Sequence, residues 1–245
     1  MANKKQSRRE IADQLRTKQK RADKRQGLVI VGVCALIALV IVGLAAYKPI
    51  KEWWDLRQYN NAEISEIGSP ADVCQKIITK KASGSQEHVQ PGTDVTYTDS
   101  PPAFGKHEVY PDSMERKLYT AEDRPRLEML VHNQEHGYTM LWYDETIAKD
   151  SEQMSELRAI ATKLKGTGNM RLKFKALPWT KEDGDPFPND QHVALTHWSK
   201  GGKDAELSEK KQVGVWKYCD SVSGEALDDF MLKYDFFDSP EPYGG

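Results

Sequence analysis

Cysteine is scarce in this 245-residue chain: there are three, and Cys34 falls within the single long apolar run. The other two, Cys74 and Cys219, form an even pair near the two ends of the chain beyond that run. A disulfide between them is the favoured reading, with two unpaired thiols as the alternative. A metal role for either would need further ligands beside it, and the sequence places none there. Glycine-rich phosphate-binding loops and internal repeats are missing, which sets aside nucleotide-cradling loops and repeat architectures. Without a Gly-x-Ser-x-Gly elbow, a serine-nucleophile hydrolase of that type has no support. The seven methionines show no cluster of soft donors. No aromatic residues interleave with the basic residues of the N-terminus, so the base stacking used to hold nucleic acid has no carrier.

What is present is unevenly distributed. Residues 1–26 hold ten Lys and Arg against three Asp and Glu, leaving 25 basic and 34 acidic residues for the rest. A basic head and an acidic body suggest two compartments rather than one nucleic-acid-binding surface. Residues 1–27 read as a solvated cytoplasmic tail, with anionic lipid head groups as a sharper alternative partner. Leu28 to Tyr47 is uncharged and apolar, close to the ~20 residues a spanning helix needs. A cleaved signal peptide competes, since Gly43-Leu44-Ala45 resembles a small-x-small cleavage site, but the apolar run exceeds the usual ~7–15-residue signal core. An uncleaved anchor over 28–47 is therefore expected. The positive-inside rule places the N-terminus in the cytoplasm and the body outside it, with Tyr47, Trp53 and Trp54 at an interfacial belt. Residues 48–68 read as a juxtamembrane helix or stalk broken by Gly68-Ser69-Pro70, and residues 69–245 as the extracytoplasmic domain.

Within that domain, Thr93 to Thr98 alternates as a half-buried strand, and Ser100-Pro101-Pro102 begins a rigid loop. Pro125 to Val131 has helical spacing that Gly137 ends, and Tyr138 to Tyr143 is a buried strand. Ser151–Lys165 spaces Met154, Leu157, Ile160, Ala161 and Leu164 as a helix. Met170–Leu177 and His192–Trp198 read as strands, and Gly224–Tyr234 as a short amphipathic helix. The pattern predicts one α+β domain with a small mixed sheet and flanking helices.

The chemistry concentrates at Val131-His132-Asn133-Gln134-Glu135-His136-Gly137, with two of the six histidines and a carboxylate in five positions. On a helix, His132, Glu135 and His136 fall at i, i+3 and i+4 and share one face. With His88 and His107 flanking the proline loop, they make a donor set suited to zinc or copper. The bland alternative is a buried network in which histidines bond Glu135 and loop backbone. His132-x-x-Glu135-His136 also has the form of an inverted zincin motif, with Glu135 as base. Against that, the helix ends at the motif and no distant carboxylate ligand is evident. A third reading is an envelope interaction module without ligand chemistry, docking on a membrane-protein partner.

The order His88, Val95-x-Tyr97, Pro101-Pro102, Gly105-x-His107, then Val131-His132-Asn133-x-Glu135-His136-Gly137 resembles the Domain of Unknown Function 3105 family. The resemblance covers roughly Ser69 to the C-terminus and is strongest between His88 and Tyr143. It implies a membrane-anchored or secreted bacterial protein of a kind common in actinobacteria, and a domain rather than an activity. The chain departs from the family's usual Pro-Pro-Thr-Ser-Gly by carrying Ala103 and Phe104. Gln134 stands where Leu is common, and His197 where Ala is common, which makes His197 weaker as a family-type site residue. The expected metal ligands are His88, His107, His132 and His136, with Glu135 as ligand or supporting partner.

Overall fold

A computed structural model describes residues 2–82 and 86–244, with side chains from residue 10 onward. The chain divides into two compact units, Met1–Trp54 and Asp55–Gly245. The first is carried by helix α1 (Ala2–Leu56), which runs through Pro49. Its apolar segment has no buried residues and is long and apolar enough to cross a membrane. Leu28, Leu36, Leu39 and Leu44 all stand exposed.

The second unit is built on a five-stranded mixed sheet. Its strands are β1 (Ile78–Lys81), β4 (Thr139–Tyr143), β5 (Phe174–Pro178), β6 (Val193–Ser199) and β7 (Val213–Cys219), ordered β1-β7-β6-β4-β5. Within this sheet, among the described residues, only the β4–β5 pair is parallel. A separate two-stranded parallel ladder joins β2 (His88–Val89) to β3 (His107–Glu108). The helices are α2 (Leu127–Glu135), α3 (Glu145–Lys149), α4 (Ser151–Lys163) and α5 (Gly224–Lys233). Asp144, Asp150 and Ser223 accept backbone N–H bonds at the starts of α3, α4 and α5.

The period-2 pattern of the central strands separates two cores. Leu141, Tyr143, Phe174, Ala176, Val193, Leu195 and Val215 face one side, against α4, α5 and the approach segment through Leu56, Tyr59 and Ile67. Met140, Trp142, Leu177, Ala194, Trp198, Trp216 and Tyr218 face the other, against Leu130 and Val131 of α2 and the loop residues Ala103 and Phe104. Strands covered on both faces read as near-continuous apolar runs. The Cys74–Cys219 disulfide, with an S–S distance of 2.08 Å, ties the approach segment to the end of β7.

The α+β class is as the sequence predicts, but several elements differ. Thr93 to Thr98 forms no strand. Side chains hold its backbone instead, with Val95 N–H donating to Glu128 Oε1 at 2.9 Å and Arg126 Nη2 donating to Thr93 O at 3.1 Å. The helix through Trp53 and Trp54 stops at Leu56, and 3-10 turns at Arg57–Tyr59 and Ile64–Glu66 come next. Met170–Leu172 is a 3-10 turn rather than the start of β5. Strand β7, which supplies the centre of the sheet with β6, has no counterpart in the sequence-based reading.

Candidate metal centre

The site lies between α2 and the β2–β3 ladder, on the aromatic side of the sheet. Helix α2 ends where the sequence predicts. Gly137 takes φ +88°, its N–H donates to Gln134 O at 3.0 Å, and Tyr138 N–H donates to Asn133 O at 3.1 Å. This is the paired-bond helix stop that a left-handed glycine allows. It leaves His132 and Glu135 on the last turn and His136 as the capping residue. Asn133 grips the loop that precedes α2, donating from Nδ2 to Asp112 O at 2.7 Å and accepting from Asp112 N–H at 3.0 Å.

The proline loop is pinned through its carbonyls. Trp216 Nε1 donates to Pro101 O at 2.8 Å, Gln134 Nε2 to Pro102 O at 2.9 Å, and Tyr218 Oη to Ser100 O at 3.1 Å. Phe104 packs edge-on against Trp198 and Trp216 with ring centroids 6.3 and 6.1 Å away. Gly214 makes room for it: a Cβ there would meet Phe104 at 2.5 Å. The loop thus delivers β3 in a fixed position, and the parallel ladder sets His88 directly opposite His107. Arg126 ties the layers together, donating from Nε to Glu108 Oε1 at 2.8 Å, while Gly92 N–H donates to the same oxygen at 3.0 Å.

Three imidazoles converge as a result. Ring centroids are 4.7 Å apart for His88–His107, 4.9 Å for His88–His132 and 4.7 Å for His107–His132. Glu135 joins them, with Oε2 2.9 Å from His107 Nε2 and 4.0 Å from His132 Nε2. One donor atom from each of His88, His107, His132 and Glu135 lies within 4.8 Å of every other, so the group can hold a metal ion. His107, His132 and Glu135 are buried and His88 is exposed, so the group meets solvent at one corner. His136 falls outside this set. Its Nε2 is 3.1 Å from His132 Nε2 and 3.5 Å from Glu241 Oε2, and it gathers instead with Glu135 and Glu241.

Backbone carbonyls set the tautomers. His107 Nδ1 lies 2.8 Å from Gly105 O and His132 Nδ1 2.6 Å from Glu108 O. A carbonyl only accepts, so each Nδ1 carries a proton and each Nε2 faces the cluster. Such carbonyl bonds are the usual support behind metal-binding imidazoles. Burial, with His107 and His88 nearby, pushes His132 down to about 4, which keeps it neutral at pH 7. Burial together with His132 pushes His136 down to about 4. For Glu135 burial acts upward, but His107, Gln86 and His132 outweigh it and hold the carboxyl below its ordinary value. His107 Nε2 and both Glu135 oxygens are buried without an aligned hydrogen-bond partner among the described residues. A bare imidazole lone pair 2.9 Å from a carboxylate oxygen is repulsive unless a proton or a cation stands among them.

The remaining candidates separate cleanly. His197 faces away from Trp198 along β6, and its Nε2 donates to Asp238 O at 2.7 Å. His192 pairs with Asp144 at 2.8 Å. Glu135 has no exposed surface, a poor position for a base acting on an incoming substrate. Glu241 is a candidate the sequence did not reveal. It lies in the acidic C-terminal segment, whose spacing carries no signal, and tertiary contacts bring it in. Its N–H donates to Glu135 O at 2.9 Å, and Lys173 Nζ donates to His136 O at 2.7 Å, Gly244 O at 2.8 Å and Pro242 O at 3.0 Å. Burial lowers Lys173 to about 8.

Fold and site together define a class: an α+β domain that closes a two-strand ladder over a helix end to gather buried imidazoles around one carboxylate. The chain matches the family described as Protein of unknown function (DUF3105) over residues 88–243, and it belongs to that family. The match begins at His88 and takes in His107, His132, Glu135, His136 and Glu241. No curated protein and no solved structure matches the chain.

Proposed function

We propose that the chain is a single-pass membrane protein whose extracytoplasmic domain binds a zinc or copper ion, for storage, delivery or sensing, at His88, His107, His132 and Glu135. The observation that carries this reading is the convergence of three imidazoles and a buried carboxylate within 4.8 Å of one another. The donor chemistry supports it: imidazole nitrogens with one carboxylate suit zinc and oxidised copper, and two of the rings are oriented by carbonyl bonds at Nδ1. The basic residues before the apolar segment support a cytoplasmic N-terminus, and the disulfide supports an oxidising compartment for the domain.

The test is elemental analysis of the full-length protein in detergent, without a histidine tag, after exposure to zinc or copper and removal of free metal. At least one equivalent per chain is expected, lost in a folded His107→Ala/His132→Ala variant. A folded wild-type protein that takes up neither metal from excess would overturn the reading. The cluster would then be a structural network, and binding to an envelope protein would be the function to pursue.

A further inference from the structure

His136, Glu135 and Glu241 form a second set of donors, each offering an atom within 4.8 Å of the others. It is distinct from the His88–His107–His132 set and shares only Glu135 with it. We propose that Glu135 bridges two cations: one held by His88, His107 and His132, the other by His136 and Glu241. This inference rests on the metal-binding reading above and extends it from one ion to two.

Four observations converge on it. Glu135 is fully buried, and neither of its carboxylate oxygens has an aligned partner among the described residues. A carboxylate shared by two donor sets has the connectivity of a bridging ligand, which holds two ions about 3.5–4 Å apart. His136 Nε2 and Glu241 Oε2 are 3.5 Å apart, about the separation of two ligands on one ion with bonds of about 2.0–2.2 Å. His132 Nε2 and His136 Nε2 face each other at 3.1 Å. With the His132 proton on Nδ1, these nitrogens need either a proton between them or a separate cation for each lone pair.

The C-terminal segment is built to keep Glu241 in place. Glu241 N–H is bonded to Glu135 O at 2.9 Å, so the two carboxylates are joined through backbone. Lys173 Nζ clamps the carbonyls of His136, Pro242 and Gly244 at 2.7, 3.0 and 2.8 Å, fixing the helix end and the segment to one ammonium group. Gly244 lies flat against the His136 ring, where a Cβ would come within 2.4 Å of Nε2. The charges also suit two cations. Glu135 and Glu241 supply two negative charges against the four positive charges of two divalent ions, leaving capacity for hydroxide or another small anion. The side chain of Glu241 is 46% exposed, whereas that of His107 is 0% exposed. Each set thus meets solvent through one exposed donor, His88 in the first and Glu241 in the second.

The experiment is zinc titration of the full-length protein in detergent, read as tightly held equivalents per chain by elemental analysis after free zinc is removed. Wild type is expected to hold two equivalents. Glu241→Ala, at an exposed side chain, and separately His136→Gln should each hold one, with helix content unchanged by circular dichroism. A wild type that saturates at one equivalent, or a Glu241→Ala variant that keeps two, overturns the bridged pair while leaving the single-ion reading standing. A wild type that holds no zinc overturns both.

Discussion

Removing the Cys74–Cys219 bond should cost this domain a large share of its stability. The bond spans 145 residues of chain, and the segment it closes contains all seven strands and His88, His107, His132 and His136. In the chain-entropy model, a loop of that length restricts the unfolded chain by about 5 kcal/mol at 25 °C. Single domains are stable by roughly 5–15 kcal/mol, so reduction removes a third or more of the total. The perturbation is applied in two ways: reduction of the wild type, and a Cys74→Ala/Cys219→Ala variant. The variant also loses sulfur packing at Cys219, which is buried in the core, so the reduced wild type isolates the cross-link. Urea unfolding at pH 7 is the assay. With a slope of about 2 kcal/mol per molar for a domain of this size, the midpoint should fall by roughly 2.5 M. A reduced protein that unfolds within about 0.5 M of the oxidised one would refute the entropy argument.

Three further outcomes rest on particular side chains. Burial, with Glu152 and Asp150 nearby, pushes the Glu156 carboxyl up to about 7. Its protonated form is thus favoured on folding, a contribution fully present below about pH 4.5 and lost as pH rises through 7. Glu156→Gln should stabilise the domain at pH 8 by roughly 1–2 kcal/mol, after discounting for partial solvent contact, and leave pH 4 unchanged, measured by urea midpoints. Equal gains at both pH values would count against a titration effect. Gly137→Ala places a Cβ 2.5 Å from Phe236 O and 2.9 Å from Phe236 Cα in a left-handed backbone. It should cost about 2–4 kcal/mol and expose the C-terminal segment to carboxypeptidase; unchanged digestion would show that the contact relaxes harmlessly. Gln134→Leu replaces a buried amide with an apolar side chain of similar size. It removes the bond to Pro102 O but also a buried Oε1 that has no partner among the described residues, so stability should stay within about 1 kcal/mol by thermal unfolding.

Residue spacing made part of this fold readable. Helix α4, strands β4 and β6, and α5 all carry apolar residues at the spacing of a single element, and Gly137 ends α2 as its residue type predicts. Strand β7 was not readable in the same way. Gly214 and Lys217 interrupt its apolar run, and the glycine is there because Phe104, distant in sequence, occupies the space above it. Strand β1 has four exposed residues and no core signal at all; pairing with β7 alone makes it a strand. At the site, the residue types picked out His88, His107, His132 and Glu135, which the structure brings together. They could not separate His136 from that group, because its partner Glu241 lies 105 positions further on and is placed by three carbonyls bonded to Lys173.

The β2–β3 ladder bears on kinetics. It is two residues long on each strand, and its His88 side is exposed while its His107 side is buried. Short, solvent-facing ladders open far more cheaply than the core they rest on. Lifting β2 would withdraw His88 alone and leave His107, His132 and Glu135 on their own rigid supports. A cation held there would then have an exit gated by a few backbone bonds, and its residence time would be set by fraying of that strand rather than by unfolding of the domain. A donor that detaches first also leaves a coordination position open to an incoming acceptor ligand, so metal could pass from this site to another without being released as a free ion.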